Sequence, residues 1–381
     1  MAEPHAFLVA AKRTPIGRSH AEKGVLRDVR ADQLLATLMQ DFRRQGLPVD
    51  DADDVYIGCV GQHLEQGKNI ARLALLLAGL PERIPGVTIN RLCGSSLQAL
   101  NFATMAIESG AARLILAGGV EHMQHVPMGA ALDYNATLLK RYEFPFPNMG
   151  LTAEKLAHDF GISRREQDGF SLRSHQRVAR AQARGSLAAE IVPITAPQGR
   201  VEQDQCPRPD CNADALGHLK PAFADGGSVT AGNSAPLSDG ASLTLLASES
   251  ACTQYGLRKG AQVMAASVVG VPPCDMGLGP VPAVRRLLRD AGLPVSAIDR
   301  FELNEAFSVQ ALACIRELKL DPRKVNPDGG AVALGHPLGC TGTRLITTLL
   351  HGLERDDGEH GIATLCVGHG QGMATLIRRA A

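Results

Sequence analysis

Short and long apolar segments alternate along this chain, and that alternation limits its fold more than any other feature. Short strand-like runs at 7–11 and 55–60 flank a strongly amphipathic stretch at 31–44. An apolar helix is predicted at 69–78, a short buried strand at 84–89, and then Leu97, Leu100, Ala103, Met105 and Ala106 recur at helical spacing. Residues 112–119 read as a buried strand ending in glycines. Strands separated by helices imply a mostly parallel sheet covered by helices.

Between 121 and 228 the pattern loosens. Pro127, Tyr142, Pro145 and Pro147 mark an irregular stretch, followed by helices at 152–160 and 164–184 and a loop-like segment at 193–221. A long, partly structured insertion is more often functional than idle. Order resumes with strands at 242–247 and 261–269, a helix at 283–291, and a strand at 300–303. Helices at 306–318 and 343–354 and strands at 362–367 and 372–377 complete the series. Residues 87–119 and 324–368 share one order, a strand, a loop, a helix and a glycine-ended strand, which suggests an internal duplication.

At 381 residues the chain is long enough for two or three domains or one large layered one. Lys+Arg and Asp+Glu are equal at 39 each, so nothing favours nucleic acid or an anionic membrane as a general partner. Tryptophan is absent and glycines number 40, which suits close helix–sheet packing better than a β-sandwich. The N-terminal apolar run is too short for a signal peptide, and no run approaches the ~18–20 residues of a membrane span. A soluble cytoplasmic protein is expected. The nine cysteines are odd in number and irregular in spacing, the pattern of free thiols in a reducing compartment. Cys206 and Cys211 lack a second ligand pair, so no metal site is expected.

Four places carry candidate chemistry. Cys93 lies where an extended segment turns into a helix, beside Gly94 and Ser95. A helix N-terminus lowers a thiol's pKa, although a cysteine is equally at home as a small packed hydrophobe. His336 stands in the glycine-dense run Gly329-Gly-Ala-Val-Ala-Leu-Gly-His-Pro-Leu-Gly-Cys-Thr-Gly342, which is either a backbone shaped around a ligand or a surface turn. An imidazole there can take a thiol's proton. Cys366 ends a strand and meets Gly368 and Gly370, a weak signal alone, because any tight hairpin uses glycine. Asn304 follows a strand and opens a helix, either as an N-cap or as a holder of water against a developing oxyanion.

Together these segments resemble the thiolases over nearly the whole chain. The resemblance rests on Arg13-Thr-Pro-Ile-Gly-Arg18, Asn90-Arg-Leu-Cys-Gly-Ser-Ser96, Asn304-Glu-Ala-Phe307, Gly335-His-Pro-Leu-Gly339 and Cys366-Val-Gly368. Gly118-Gly-Val-Glu-His-Met123, Gly150-Leu-Thr-Ala-Glu154 and Met276-Gly-Leu-Gly-Pro-Val-Pro282 resemble the branch that degrades 3-ketoacyl-CoA as the β subunit of a fatty-acid oxidation complex.

The resemblance implies a five-layer αβαβα fold of two similar halves, 1–120 with 229–250 and 251–381, around a loop domain at 121–228. It implies a Cys93 acyl-enzyme, His336 as base, Cys366 as acid and base at carbon, and Asn304 with His336 as the oxyanion hole for an enolate. The backbone N–H groups of Cys93 and Gly368 would hold the tetrahedral oxyanion. Met149, Ser234, Ala235 and Phe307 would contact coenzyme A, which is a substrate; no cofactor is implied. A homodimer or tetramer is implied, together with a hydratase/dehydrogenase α subunit as partner.

The sequence departs from the family pattern in three places, one of them the segment 203–219, which is less like the close relatives than its flanks are. Ala235 occupies the place of an expected serine, with Ser234 one step before it, and His369 replaces a small or apolar residue and is expected to face solvent. A ketoacyl synthase is the nearest rival, but the cysteine at 366 fits it less well. The same segments are also compatible with an acetoacetyl-CoA thiolase and with a non-catalytic acyl-CoA-binding subunit.

Overall fold

A computed structural model of the chain describes residues 5–142 and 148–380. Pro145 and Pro147 lie outside them. The first half runs β1 (Ala6–Arg13), a short β2 (Gly17–Arg18), α1 (Ala31–Arg44), β3 (Asp54–Gly58), α2 (Ile70–Leu77), β4 (Val87–Ile89), α3 (Ser95–Glu108) and β5 (Leu114–His122). Helix α1 forms where its apolar spacing predicts, burying Leu34, Leu35, Leu38, Met39 and Phe42 on one face. At about 1.5–3 kcal/mol for each large apolar side chain, that face is the main reason α1 stays docked. The Asn69 side chain caps α2 by accepting from the Arg72 N–H.

The irregular middle holds α4 (Ala136–Arg141), α5 (Met149–Asp159), α6 (Arg164–Ala183), a hairpin of β6 (Ile194–Ala196) and β7 (Gly199–Val201), and α7 (Ala213–Gly217). The segment read as loop at 193–221 therefore contains a hairpin and a helical turn. Its anchor to the first half is a buried ion pair. Arg13 donates Nη1 and Nη2 to Asp204 at 2.7 and 2.9 Å and Nε to Glu190 at 2.9 Å. The second half follows with β8 (Ser238–Ser248), α8 (Glu249–Tyr255), β9 (Ala261–Gly270), α9 (Pro280–Ala291) and β10 (Arg300–Leu303). It ends with α10 (Ser308–Leu318), α11 (Ala331–Leu334), α12 (Leu338–Asp356), β11 (His360–Val367) and β12 (Gln371–Arg379).

The large sheet has the order β4-β3-β5-β8-β1-β9-β12-β11-β10, and it reads the same from either end. Outer strands are parallel in both halves, β3 with β4 and β5, and β10 with β11. Inner strands are antiparallel, β5–β8–β1 and β11–β12–β9. Val325 bridges Phe301 in parallel and takes the place that β4 has in the first half. The duplication expected from the sequence is thus visible in the strand order. The sheet is mixed rather than mostly parallel, because β11 and β12 join through a tight turn and β8 returns antiparallel to β5 after the long insertion.

Only two residue pairs, Phe7 with Gln262 and Leu8 with Ala261, join β1 to β9. Either side of that narrow seam the sheet folds around α3 and α12. Leu97, Leu100, Leu345 and Leu349 of these helices pack with Ile115 and Leu246 of one half and Leu365 and Ile377 of the other. α1 and α2 cover the outer face of the first half, and α9 and α10 that of the second. The result is the αβαβα stack.

Three local expectations are corrected. The strand predicted as buried at 84–89 is confined to Val87–Ile89 and is a sheet edge, with Val87 42% exposed. α10 begins at Ser308 rather than 306, because Phe307 is extended and bridges Ser234. α12 begins at Leu338, well before 343. Its Gly339 and Gly342 are not breakers; they let the helix start touch its neighbours.

Candidate active site

Cys93 sits in a tight turn that the local sequence closes by itself. Leu92 N–H donates to Asn90 Oδ1 at 2.9 Å, and Ser95 Oγ donates to Leu92 O at 2.6 Å while accepting from Arg91 N–H at 2.9 Å. Leu92 takes φ = +47° to do this. Gly94 then opens α3; a Cβ on it would lie 2.4 Å from Met373 Sδ. The thiol keeps partial solvent access but is enclosed by protein. That enclosure overturns the expectation of a lowered pKa. Burial pushes the thiol up to about 11, against the opposing pull of the Gly368 and Cys93 backbone N–H groups. The carboxylate of Glu121 adds to the rise.

His336 is buried at the end of the glycine loop, with its own N–H donated to Ser238 Oγ at 2.8 Å. Gly335 holds φ = +108°, a conformation that glycine adopts without strain. His336 Nδ1 lies 2.7 Å from Thr341 Oγ1, and that hydroxyl donates its only proton to Pro337 O at 2.7 Å. Nδ1 must therefore carry hydrogen and donate to Thr341, which leaves the lone pair on Nε2. Burial, aided by the charge of Arg344, lowers the His336 pKa to about 3, so the ring is a neutral base at physiological pH. Asn304 Nδ2 lies 3.4 Å from His336 Nε2, and Asn304 Oδ1 has no hydrogen-bond partner among the described residues. Asn304 is held by the sheet, its N–H donating to Thr364 O at 2.9 Å; it is not a helix cap.

The two loops meet because α3 and α12 start against one another. A Cβ on Gly342 would lie 2.3 Å from Leu97 N, and one on Gly119 only 2.0 Å from Gly339 O. Thr343 N–H donates to Ser96 Oγ at 3.0 Å. Glu121 joins the backbones, accepting from Val60, Gly61 and Gly339 N–H at 2.9–3.0 Å. The helix that follows Cys93 and the helix that follows His336 are thus fixed to each other by backbone contact with almost no intervening side chain.

Cys366 stands next to last in β11, buried, with its pKa raised well above the usual thiol value by burial and by interaction with Cys93. The next turn carries Gly368, whose N–H acts on Cys93, and His369 at φ = +60°. His369 does not stand free in solvent, contrary to expectation. It is half-buried, with Nε2 2.9 Å from the Tyr134 hydroxyl and the two rings edge to face.

The four residues expected to touch coenzyme A divide. Met149 opens α5, and Phe307 packs edge to face on Phe223, whose ring leaves no room for a Cβ on Gly150. Residues 233–235 run along the Asn304 block, with Ala235 N–H donating to Ala306 O and Ser308 N–H to Asn233 O. Ser234 spends its hydroxyl proton on Thr230 O at 2.7 Å, so it has no proton left for a ligand. Sequence reasoning misses Thr341, Glu121 and Phe223. Thr341 carries a usable signal, a hydroxyl five residues beyond the histidine on the helix it precedes. Glu121 and Phe223 carry none, since only the fold brings them to the site.

Comparison with known proteins gives consistent results. The family model described as "Thiolase, N-terminal domain" matches residues 6–250, and "Thiolase, C-terminal domain" matches 257–379. The chain is 50% identical to the 3-ketoacyl-CoA thiolase of Erwinia tasmaniensis and 48% identical to that of Cronobacter sakazakii, covering 98% of each pair. Among solved structures it superposes on the acetyl-CoA acetyltransferase of Bacillus anthracis with a TM-score of 0.90, 39% identity and full coverage of both chains. It superposes on human mitochondrial 3-ketoacyl-CoA thiolase in complex with CoA with a TM-score of 0.91 and 36% identity, covering 99% of this chain and 98% of that one.

Proposed function

We propose, from the premise that this chain belongs to the thiolase family and is an acyltransferase, that it cleaves 3-ketoacyl-CoA with CoA to give acetyl-CoA and an acyl-CoA two carbons shorter. The observation that carries the reading is the Asn304–His336–Thr341 chain, which presents a neutral imidazole with its lone pair on Nε2. That nitrogen takes the Cys93 proton as the sulfur attacks the 3-keto carbon. The tetrahedral oxyanion is held by the N–H groups of Cys93 and Gly368. The C2–C3 bond then breaks, leaving the acyl group on Cys93 and the electron pair on the acetyl-CoA enolate.

Asn304 Nδ2 and the newly protonated His336 Nε2 donate to the enolate oxygen, Asn304 directly or through a water. One such donor is typically worth about 3–4 kcal/mol of barrier. Cys366 gives its proton to the carbanion carbon and takes one back from incoming CoA. The CoA thiolate captures the acyl group, and His336 returns its proton to Cys93. All protons and electron pairs close on two thiols and one imidazole, so the chemistry calls for no metal or redox cofactor. Phe307 packs on Phe223 and shares an apolar cluster with Met149, a surface suited to the pantetheine arm, with Ala235 tied to Ala306 next to Phe307.

A role in fatty-acid degradation follows from the names of the relatives at 48–50% identity. A cytoplasmic location fits a reaction between water-soluble CoA thioesters, and none of the described helices is long and apolar enough to cross a membrane. A homodimer is supported by the exposed apolar residues Leu73, Leu76 and Leu77 of α2, Val87 of the edge strand β4, and Phe102 and Met105 of α3. Assembly with a hydratase/dehydrogenase α subunit rests on the family branch alone.

Cleavage assays across chain length test the reading: turnover of medium and long 3-ketoacyl-CoA is expected, with a Cys93 thioester visible by intact-protein mass spectrometry. Activity on acetoacetyl-CoA alone favours an acetyl-CoA acetyltransferase. Binding of CoA with no cleavage of any 3-ketoacyl-CoA favours a non-catalytic subunit.

A further inference from the structure

Glu305 follows Asn304 directly, is 1% exposed, and has no cation within ion-pair distance among the described residues. An isolated carboxylate in a protein interior is costly and persists only when donors surround it. Here three neutral donors do so. Ser174 Oγ of α6 and Val332 N–H of α11 donate to Oε2 at 2.7 and 3.1 Å, and Asn326 Nδ2 donates to Oε1 at 2.8 Å. Each donor belongs to a different part of the site. Asn326 also exchanges hydrogen bonds with the Leu303 N–H and C=O, both at 2.8 Å, immediately before Asn304. Val332 lies in the short helix that leads to His336. Ser174 comes from the inserted domain, and its Oγ accepts from Gly330 N–H at 3.1 Å. A Cβ on Gly330 would lie 2.3 Å from the Glu305 carboxyl carbon, so the loop rests directly on the carboxylate.

We infer that Glu305 is a positioning residue that sets the spacing of Asn304 and His336, and so builds the enolate-stabilising hole without touching substrate. The inference rests on the catalytic reading above and deepens it. It separates the two oxyanion holes physically. The Asn304–His336 hole is joined through Glu305, whereas the Cys93–Gly368 hole stands on the 90–95 turn and the β11–β12 turn, neither of which hydrogen-bonds to Glu305. Only carbon–carbon cleavage and condensation form an enolate. Transfer of an acetyl group from acetyl-CoA to Cys93 and on to another thiol forms only tetrahedral intermediates.

The test compares these two reactions in E305Q, E305D and S174A. Glutamine keeps the size but turns an NH2 toward a donor, so E305Q is expected to lower kcat for 3-ketoacyl-CoA cleavage about 30-fold or more. Acetyl exchange between acetyl-CoA and dephospho-CoA uses His336 as base but forms no enolate, so it should fall at least threefold less than cleavage does. E305D, which keeps the charge, should recover part of the loss. S174A removes one donor from outside the catalytic block and should give the same selective loss at about 3–10-fold, which keeps the test valid if E305Q does not fold. Equal losses in both reactions, or no loss in either, overturn the inference. A wild-type enzyme with neither reaction would instead overturn the thiolase reading itself.

Discussion

Thr341→Val is the most direct test of the base assignment. Valine keeps the shape of threonine and removes only the hydroxyl. Two hydrogen bonds go with it, both 2.7 Å long, from His336 Nδ1 and to Pro337 O. The Pro337 carbonyl stays satisfied, because it also accepts from Cys340 and Thr341 N–H at 3.1 and 3.0 Å. The only group orphaned is the His336 Nδ1–H, in a buried side chain. A buried unsatisfied donor costs about 1–3 kcal/mol. The ring escapes that cost by shifting its proton to Nε2, and the base is then lost. At about 1.4 kcal/mol per factor of ten, acylation of Cys93 should slow roughly 5–150-fold. Rapid-quench mass spectrometry of the acyl-enzyme gives the rate directly, and T341S should restore it. If T341V acylates within twofold of the parent, the tautomer argument is wrong.

Three further outcomes are expected. The Cys93 pKa is raised, so the neutral thiol dominates up to about 11 and only about one molecule in ten thousand carries the thiolate at pH 7; iodoacetamide labelling of Cys93 should rise about tenfold per pH unit from 7 to 10, and a flat profile would indicate a resting thiolate–imidazolium pair. G119A places a methyl group 2.0 Å from the Gly339 backbone oxygen, where no side chain can yield, and should cost about 3 kcal/mol or more by chemical denaturation; a loss under 1 kcal/mol would show that the start of α12 can move off β5 cheaply. V87K combined with M105E should shift the sedimentation coefficient to that of a monomer, while an unchanged value would remove these exposed apolar residues as the dimer contact.

Much of the fold was legible because helices and strands bury one face each. α1 has the bounds that its apolar spacing predicts, and β10 likewise. The duplication was legible from element order despite slight residue identity, because order is what the layered fold requires. What the sequence hid were tertiary choices. The glycines at 339 and 342 read as loop, since nothing local says that another helix start will press against them. Segment 84–89 read as buried, because an apolar strand looks the same at a sheet edge as at its centre. At the site, Cys93, His336, Asn304 and Cys366 stood out through their neighbours. The thiol's pKa did not, because a helix N-terminus is visible in sequence and burial is not. Glu305 carries no signal of its own in the sequence, because only the fold encloses it.

The seam of two residue pairs between β1 and β9 divides the proposed reacting groups as well as the sheet. Cys93 belongs to one copy of the repeated unit, and Asn304, His336 and Cys366 to the other. Neither copy holds a complete set, so turnover reports on the mating of the two units. Any unfolding route that first opens the seam will silence the enzyme while most of its helices and strands persist. Loss of activity should then precede loss of circular dichroism along a denaturant gradient.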